Sequence, residues 1–259
     1  MKAQPFILHH KVIGKGHPVV FLHGFLGNIT MWGQIVKKLA NVQAILIDLP
    51  GHGKSPLHHH SSLSLPLITE AVKNTLNHLQ IDHFSIVGHS LGGYVALHLA
   101  EDQGLEIEDI VLLHSHPWAD DDKKKEDRNR TIRIVEYDKS LFINEAIPKL
   151  YYKNHREKFK IEIQNGINDA NQMDSSSIVQ NLCALRDRED KTEVFKHKKD
   201  KLHIIQGEFD HLIDTSAIQD IAFQSRNQFY LIKNIGHMGH QEATEQVLEL
   251  LSFLSKKKG

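Results

Sequence analysis

Short runs of β-branched and other apolar residues recur along the chain, and most are followed by a segment whose apolar positions repeat at helical spacing. The runs that predict buried strands are residues 6–8, 19–22, 42–47, 84–87, 110–113, 202–205 and 229–232. The segments that predict helices outside the central region are 31–39, 65–79, 93–100, 216–224 and 241–254. Strands that alternate with helices are typical of an α/β fold with a mostly parallel, doubly wound sheet.

The alternation breaks after His116-Pro117. Residues 120–200 are highly charged, almost free of glycine and helical in pattern. Such a stretch is longer than an ordinary loop of about 12–15 residues, and it shows no strand alternation. It predicts three or four helices that form a cap inserted into one domain. The expected division is an α/β core at 1–115 and 202–259, with a helical cap insertion at 116–201.

The most informative motif is Gly88-His89-Ser90-Leu91-Gly92, a G-x-S-x-G sequence between a predicted strand and a predicted helix. A serine in a sharp strand-to-helix turn needs small neighbours two residues away, because a Cβ there would strike the adjoining strand or helix. The turn lifts the Ser90 hydroxyl out of the sheet, and the helix N-terminus favours negative charge beside it. The pattern therefore predicts Ser90 as a nucleophile.

Together with this motif, three further segments resemble the α/β-hydrolase family over essentially the whole chain outside the cap. The segment 23–28, which begins His-Gly, is similar to the family's oxyanion loop, and 48–55 is similar to its D-x-x-G-x-G-x-S turn. The segments 207–210 and 236–237 are similar to the loops that carry the acid and the histidine. The resemblance implies the α/β-hydrolase fold, in its serine-nucleophile, esterase-like branch with a helical cap.

Ser90, Asp210 and His237 are the predicted catalytic residues. A serine hydroxyl needs a base within hydrogen-bonding reach, and the histidine needs a carboxylate to fix its tautomer. The three occur in the order expected of this fold, and each follows a predicted strand, at the edge where open α/β sheets bind ligands. The alternatives are Asp214, Asp120 or Asp121 as the acid and His240 as the histidine.

Five further residues have expected roles in or near the site. By the resemblance, the backbone N–H groups of Phe25 and Leu91 form the oxyanion hole, and the Phe25 side chain is a candidate pocket wall. Trp118, at the hinge into the cap, is a candidate for the substrate pocket. His89 is expected to pack beside the serine turn. Asp48 is expected to order the 51–53 turn through its backbone amides.

The resemblance implies hydrolysis of a small carboxylic ester, or a thioester, through an acyl-serine intermediate and without a cofactor. The expected partner is a small-molecule acyl substrate. The same three catalytic residues also serve carbon–carbon bond hydrolases, amidases, perhydrolases and menaquinone-pathway lyases of the family, so these chemistries stay open. A non-enzymatic small-molecule receptor is a further alternative, and the oligomeric state is left open.

Composition limits the partners and the compartment that are expected for this protein. A formal net charge of −1 with mixed acids and bases gives no reason to expect a nucleic-acid or anionic-membrane partner. The single cysteine, Cys183, fits a reducing compartment, and no apolar run is long enough for a signal peptide or a spanning helix. A cytoplasmic protein without membrane insertion is therefore expected. The His58-His59-His60 run has only serines close by, so no metal site is predicted.

Overall fold

The computed structural model describes residues 6–57 and 62–257. Within these residues, seven strands form one sheet in the order β1-β3-β2-β4-β5-β6-β7. The strands are β1 (His10–Ile13), β2 (His17–Leu22), β3 (Val42–Ile47), β4 (His83–His89), β5 (Glu106–Leu113), β6 (Leu202–Gly207) and β7 (Gln228–Ile232). All neighbours pair in parallel except β1, which is antiparallel to β3. The predicted mostly parallel sheet is confirmed.

Helices cover both faces of the sheet, which explains why its central strands are mostly apolar and carry runs such as 19–22 and 110–113 without alternation. The helices outside the central insertion are α1 (Gly33–Val36), α2 (Leu65–His78), α3 (Leu91–Leu99), α8 (Thr215–Gln224), α9 (Gly239–Glu242) and α10 (Thr244–Leu251). Side chains of α2, α3 and α8 pack on one face, and those of α1 and α10 pack on the other. The doubly wound arrangement therefore follows the predicted pattern.

The predicted strand at 6–8 is wrong. Residues 6–9 have no regular structure, and the first strand begins at His10. Leu8 is buried, and its N–H donates to the hydroxyl of Thr75 on α2 at 3.0 Å, so this run is apolar because it packs on a helix. The strand β1 was missed because it is an edge strand whose last three residues are exposed.

Two other predicted helices are shorter than expected. In place of a helix at 31–39, a 3₁₀ turn at Ile29–Trp32 leads into α1, which ends at Val36. In place of one helix at 241–254, the chain forms α9, α10 and a 3₁₀ turn at Ser252–Lys256. The break between α9 and α10 lies at Ala243, whose φ of −141° and ψ of 47° are not helical.

The central insertion is helical, as predicted. Its helices are α4 (Asp122–Leu150), α5 (Lys160–Asn171), α6 (Ser175–Arg186) and α7 (Thr192–His197). The long helix α4 bends at Asp138, whose φ is −155° and ψ is 98°. The Asp138 carboxylate accepts hydrogen bonds from the amides of Ser140 and Leu141, so it caps the second half of α4 as an N-cap does.

The helices of the insertion pack around an apolar cluster of their own, the cap cluster, which also includes Leu26. Phe195 of α7 and Leu185 of α6 lie instead in the cluster that contacts the sheet. The insertion is therefore attached to the core through α6 and α7. No helix among the described residues is both long and apolar enough to cross a membrane.

Candidate active site

Ser90 lies in the turn between β4 and α3, with the backbone conformation that the motif predicts. Its φ is +50° and its ψ is −112°, a sparsely populated region for a residue with a Cβ. Two hydrogen bonds hold this conformation: the Ser90 amide donates to the Leu113 carbonyl at 3.1 Å, and the Ser115 hydroxyl donates to the Ser90 carbonyl at 2.9 Å. The strained turn is thus fixed by the neighbouring strand β5.

The glycines around Ser90 are required by close packing. A Cβ at Gly88 would clash with the backbone of Gly92, and a Cβ at Gly92 would clash with the Leu22 carbonyl on β2. A Cβ at Gly93 would clash with the Ser115 side chain. The expectation that larger residues would strike the adjoining strand or helix is therefore correct.

His237 and Asp210 form a buried pair behind the serine turn. The His237 Nδ1 lies 2.7 Å from Oδ2 of Asp210, and both side chains are almost completely buried. A carboxylate accepts, so Nδ1 carries the proton and Nε2 of the neutral ring keeps its lone pair. His237 and Ser90 line the same cavity, whereas Asp210 lies behind His237 and is not part of the wall.

A second imidazole contacts the same carboxylate oxygen. His114, the first residue after β5, has its Nδ1 3.1 Å from Asp210 Oδ2, and its Nε2 accepts the Gly239 amide at 3.2 Å. Burial alone would raise the pKa of Asp210, but the two imidazoles hold that pKa well below its ordinary value. Burial lowers the pKa of His114, which fits a neutral ring with its proton on Nδ1.

The loop after β2 contacts the serine turn. A Cβ added to Gly24 would lie 3.3 Å from the Ser90 Cβ, so the loop backbone passes directly beside the serine. Two histidines fix this loop. His23 accepts the Leu49 amide at 2.9 Å and donates to the Gly24 carbonyl at 2.8 Å. His52 accepts the Leu26 amide at 3.3 Å.

Both predicted oxyanion amides belong to this region. Phe25 follows Gly24 in the loop, and its side chain lines the cavity. Leu91 is the first residue of α3, and the first amides of a helix have no carbonyl partner within that helix. The helix dipole also favours negative charge at this end. Phe25 and Leu91 thus each follow directly on a backbone segment that lies beside or contains Ser90, the loop at Gly24 and the serine turn.

His89 packs beside the serine turn, as expected. Its Nε2 donates to the His237 carbonyl at 2.9 Å, and its ring centroid is 4.9 Å from that of His237. Burial and the neighbouring imidazoles hold the pKa of His89 well below its ordinary value, so the ring is neutral. His89 thus supports the backbone of His237 and does not face the Asp210 carboxylate.

A cavity of about 1180 Å³ lies where the insertion faces the carboxyl edge of the sheet. Its wall includes Ser90, His237, Phe25, Tyr94 and His116, with side chains of α4, α5 and α6 opposite. This volume is above the usual range for small-molecule sites, roughly 300–1,000 Å³. The cavity therefore has room for a substrate of appreciable size above Ser90.

The alternative acids and histidine have other roles. Asp214 accepts the Ala217 amide at 3.0 Å and caps α8, while Asp121 accepts the Lys124 amide and caps α4. Asp120 pairs with two arginines. His240 lies in α9, and neither of its ring nitrogens has a hydrogen-bond partner among the described residues. Of these candidate acids, only Asp210 is hydrogen-bonded to the His237 ring among the described residues.

The expectation for Trp118 needs correction. Trp118 lies outside the lining of the cavity and packs partly buried against the core around the sheet. Its indole lies against His116, with ring centroids 5.0 Å apart, and its amide donates to the His116 Nδ1 at 3.2 Å. His116 forms the wall at this point, and Trp118 supports it from behind.

Asp48 has a structural role, but its carboxylate makes different hydrogen bonds from the expected ones. Its carboxylate accepts the amides of Ile29 and Lys54 at 2.8 and 2.9 Å, not those of the 51–53 turn. It also bonds His9 at 2.7 Å. Gly53 has a φ of +53°, and a Cβ there would clash with the Asp48 carboxylate. Asp48 therefore ties the loop after β3 to the loop after β2.

Among residues 6–57 and 62–257, one group could hold a metal ion by composition: His114, Asp210 and His237, whose ligand atoms lie within 4.8 Å of one another. Each imidazole donates Nδ1–H to Asp210, so both atoms that face the carboxylate carry protons and not lone pairs. The donor set therefore fits a hydrogen-bonded trio. The His58–His60 run lies outside the described residues.

Sequence reasoning missed His114, Tyr94 and His116. One signal for His114 was available, because it directly follows the predicted strand at 110–113 and so belongs to the same sheet edge as Asp210. Tyr94 lies four residues after Ser90, which places it one turn further along α3. His116 follows two residues after His114 and contacts Tyr94.

The chain belongs to the alpha/beta hydrolase fold family, which matches residues 17–244. It is similar in structure to a thermophilic esterase from Thermogutta terrifontis, with a TM-score of 0.88, 23% identity, and coverage of 96% of this chain and 93% of that one. It is also similar to the enol-lactonase from Burkholderia xenovorans LB400, with a TM-score of 0.86, 16% identity and 96% coverage of each chain. At these identities the likeness shows the fold.

Sequence similarity to curated proteins is confined to part of the chain. The 2-succinyl-6-hydroxy-2,4-cyclohexadiene-1-carboxylate synthase of Escherichia coli O157:H7 is 34% identical over 116 residues, which are 44% of this chain and 45% of that protein. The chain spans less than half the length of the curated relatives it matches. This partial match gives only weak support for a lyase-type relationship.

Proposed function

We propose that this protein is a serine hydrolase that cleaves a small carboxylic ester through an acyl-serine intermediate. The observation that carries the proposal is the His237–Asp210 pair at 2.7 Å, beside a strained Ser90 in the same cavity. Because Asp210 accepts the proton on Nδ1, the Nε2 lone pair of His237 is available as a base. The esterase and enol-lactonase among the structural neighbours are in line with this chemistry.

In the first half-reaction, Ser90 Oγ attacks the ester carbonyl while His237 takes its proton. The negative charge on the carbonyl oxygen is stabilised by the amides of Phe25 and Leu91 and by the N-terminus of α3. His237 then gives its proton to the departing alcohol. The products of this half-reaction are the free alcohol and the acyl ester of Ser90.

In the second half-reaction, water attacks the acyl carbonyl and gives a proton to His237, which then protonates Ser90 Oγ as the acid departs. Asp210 stabilises the imidazolium that forms in each half, provided that it stays ionised. The low pKa that His114 and His237 impose on it ensures this at neutral pH. All groups that move protons in this scheme belong to the chain or to water.

The proposal predicts that Ser90→Ala and His237→Ala each abolish ester hydrolysis without unfolding the protein. Residues that act as one catalytic unit commonly contribute about 10⁴–10⁶ in turnover, and losing one removes most of it. Hydrolysis of p-nitrophenyl acetate gives the rates, and circular dichroism checks the fold. Ser176→Ala, an exposed serine on α6, is the matched control and is expected to keep the wild-type rate.

Labelling gives an independent readout of the same proposal. A fluorophosphonate is expected to modify wild-type protein at Ser90 and to leave Ser90→Ala unlabelled. A wild-type rate in Ser90→Ala, or labelling at another serine, would contradict the mechanism. A panel with esters, thioesters, an aryl amide and a β-diketone then separates ester hydrolysis from amide and carbon–carbon bond cleavage.

A further inference from the structure

One part of the cavity wall carries an excess of positive charge. Lys124, Arg128 and Arg188 all line the cavity. Two of them pair with one carboxylate: Asp120 lies 2.7 Å from Arg188 Nη1 and 3.0 Å from Arg128 Nε. The Asp120 and Arg188 side chains are almost completely buried and offset each other's charge. The positive excess therefore lies on Arg128, which is partly exposed, and on Lys124 at the exposed rim of the cavity. The nearby Asp121 is exposed and caps α4. We call Lys124, Arg128 and Arg188 the cationic cluster.

Three of the acidic side chains that line the cavity, Asp127, Glu145 and Asp169, pair with residues outside the cationic cluster. Asp127 pairs with Arg130 at 3.3 Å, and Glu145 pairs with Lys149 at 2.9 Å. Asp169 accepts from the Asn28 amide at 2.9 Å, and Glu162 lies near Tyr151. Burial lowers the pKa of Lys124, and the two arginines lower it further against the pull of Asp120. The positive charges of the cluster therefore repel one another.

Within the described residues, two of the three guanidinium nitrogens of Arg188 are hydrogen-bonded and one is not. Its Nε donates to the Trp118 carbonyl at 3.0 Å, and its Nη1 donates to the Leu185 carbonyl at 2.8 Å. Its Nη2 has no partner among the described residues. The guanidinium lies over the Tyr94 ring, 4.4 Å from the centroid. These contacts fix the orientation of the guanidinium without satisfying all of its donors, which is the form in which arginine binds carboxylates.

Tyr94 supplies a second unused donor, as its contacts with His116 show. The Trp118 amide donates to His116 Nδ1 at 3.2 Å, so Nδ1 carries a lone pair and the ring proton lies on Nε2. The His116 Nε2 is 3.1 Å from the Tyr94 hydroxyl oxygen, which must therefore accept. The Tyr94 proton is left free for a group within the cavity.

These donors lie close to the proposed reaction centre. Tyr94 is one helical turn beyond Ser90, a rise of about 6 Å along α3. The Lys124 Nζ contacts the Leu212 carbonyl at 3.4 Å, and the Leu212 amide donates to Asp210 Oδ1 at 3.0 Å. A group bound by the cationic cluster and Tyr94 would therefore be separated from the scissile carbonyl by only a few atoms.

We propose that the cationic cluster and Tyr94 bind a carboxylate of the substrate, which makes the substrate a monoester of a dicarboxylic acid. This inference rests on the proposed function for the ester group, and it adds the charge at the other end. A buried carboxylate needs charge-assisted hydrogen bonds to offset its desolvation, and Arg188, Tyr94 and Lys124 supply them. An uncharged ester of the same length would leave these donors unsatisfied.

The test compares two methyl esters of equal length, monomethyl glutarate and methyl valerate, by their kcat/KM in a pH-stat assay. The wild-type protein is expected to favour monomethyl glutarate by at least roughly tenfold, which corresponds to about 1.4 kcal/mol. In Lys124→Gln and Tyr94→Phe this preference is expected to fall to near unity. Lys125→Gln, an exposed neighbour outside the cavity, is the matched control and is expected to keep it.

Binding to Ser90→Ala separates the two proposals. Calorimetry is expected to show that this variant binds monomethyl glutarate, and that adding Lys124→Gln weakens the binding at least roughly tenfold. Ser90-dependent hydrolysis of both esters with equal kcat/KM would overturn the carboxylate site and leave the hydrolase proposal intact. Lys124-dependent binding without any Ser90-dependent hydrolysis or labelling would overturn the hydrolase proposal alone. Binding that Lys124→Gln and Tyr94→Phe both leave unchanged would overturn the carboxylate site.

Discussion

Two imidazoles donate hydrogen bonds to one carboxylate oxygen of Asp210. This arrangement limits which side chains could replace Asp210. Oδ2 accepts from both His237 and His114, while Oδ1 accepts the Leu212 amide. An amide side chain has a single acceptor oxygen and two donors, so it cannot satisfy these three donors together. The site is therefore specific for an ionised acid at this position.

We predict that Asp210→Asn lowers ester turnover by about 10⁴ while the protein stays folded, because an amide cannot stabilise the imidazolium and favours the wrong tautomer. Asp214→Asn is the matched control, since asparagine caps a helix as well as aspartate does. Its turnover is expected to equal that of the wild type. Rates on p-nitrophenyl acetate and circular dichroism spectra give the comparison. Equal losses in both variants would mean that Asp210 has no special role.

Residue types and chain order were enough to predict the residues that the structure brings together, but not their neighbours. Ser90, Asp210 and His237 follow β4, β6 and β7, and position after a strand can be read from the sequence. The Arg188–Asp120 pair joins residues 68 positions apart, on the insertion, where no periodic pattern fixes the register. Long-range pairs of this kind depend on tertiary packing, which a single sequence does not specify.

At the scale of elements, the helices of the insertion differ in how they are attached. On α6, the Asn181 side chain donates to the Pro50 carbonyl at 3.1 Å, and Gln180 accepts the Leu63 amide at 2.7 Å. Leu185 of α6 also packs in the core around the sheet. Helix α5 packs on α4 through the cap cluster, and its Ile161 is 67% exposed. Attachment to the core is thus concentrated on α6 and α7, whereas α5 contacts the core through the exposed Asn28–Asp169 hydrogen bond.

We predict that the amides of α5 exchange with solvent at least roughly tenfold faster than those of α6, because local opening requires breaking fewer contacts with the core. On this prediction the insertion is a lid in which α6 is fixed and α5 opens. Hydrogen exchange with mass spectrometry at peptide resolution measures this, with β4 as the slow reference. Equal protection of α5 and α6 would show that the whole insertion is a rigid wall.

The elements themselves were predictable to different degrees. Buried parallel strands such as β5 carry an unbroken apolar run, here at 110–113, whereas the exposed edge strand β1 carries no such signal. The bend in α4 depends on Asp138, whose capping of the amides that follow is a local signal that helical periodicity hides. The break at Ala243 has no such marker in the sequence. Patterns therefore predict buried regular elements better than edges and breaks.

The whole molecule buries an unusual number of its 20 histidines, and this sets its response to acid. Burial lowers the pKa of the rings that surround the candidate site: His23, His52, His89, His114, His116 and His240. For His52 and His240 the folded-state pKa is about 3, against an ordinary value of 6.5. Below pH 6.5 the unfolded chain therefore binds protons that the folded protein excludes.

We predict that the free energy of unfolding is fully present above pH 6.5 and falls as the pH drops below that value. A histidine whose pKa falls from 6.5 to about 3 on folding contributes a loss of roughly 1–2 kcal/mol at pH 5.5. His52 and His240 together then contribute about 3 kcal/mol, and the other buried rings add to this. Urea denaturation at pH 7.5, 6.5 and 5.5 measures the effect by linear extrapolation.

His240→Leu isolates one contribution to this loss. Both ring nitrogens of His240 lack hydrogen-bond partners among the described residues, so an apolar side chain at this position leaves no described donor or acceptor unpaired. The variant is expected to lose roughly 1–2 kcal/mol less than the wild type between pH 7.5 and 5.5, because one ring no longer takes up a proton on unfolding. A wild-type stability that is constant over this range, or an identical pH dependence in the variant, would show that the buried rings do not control acid unfolding.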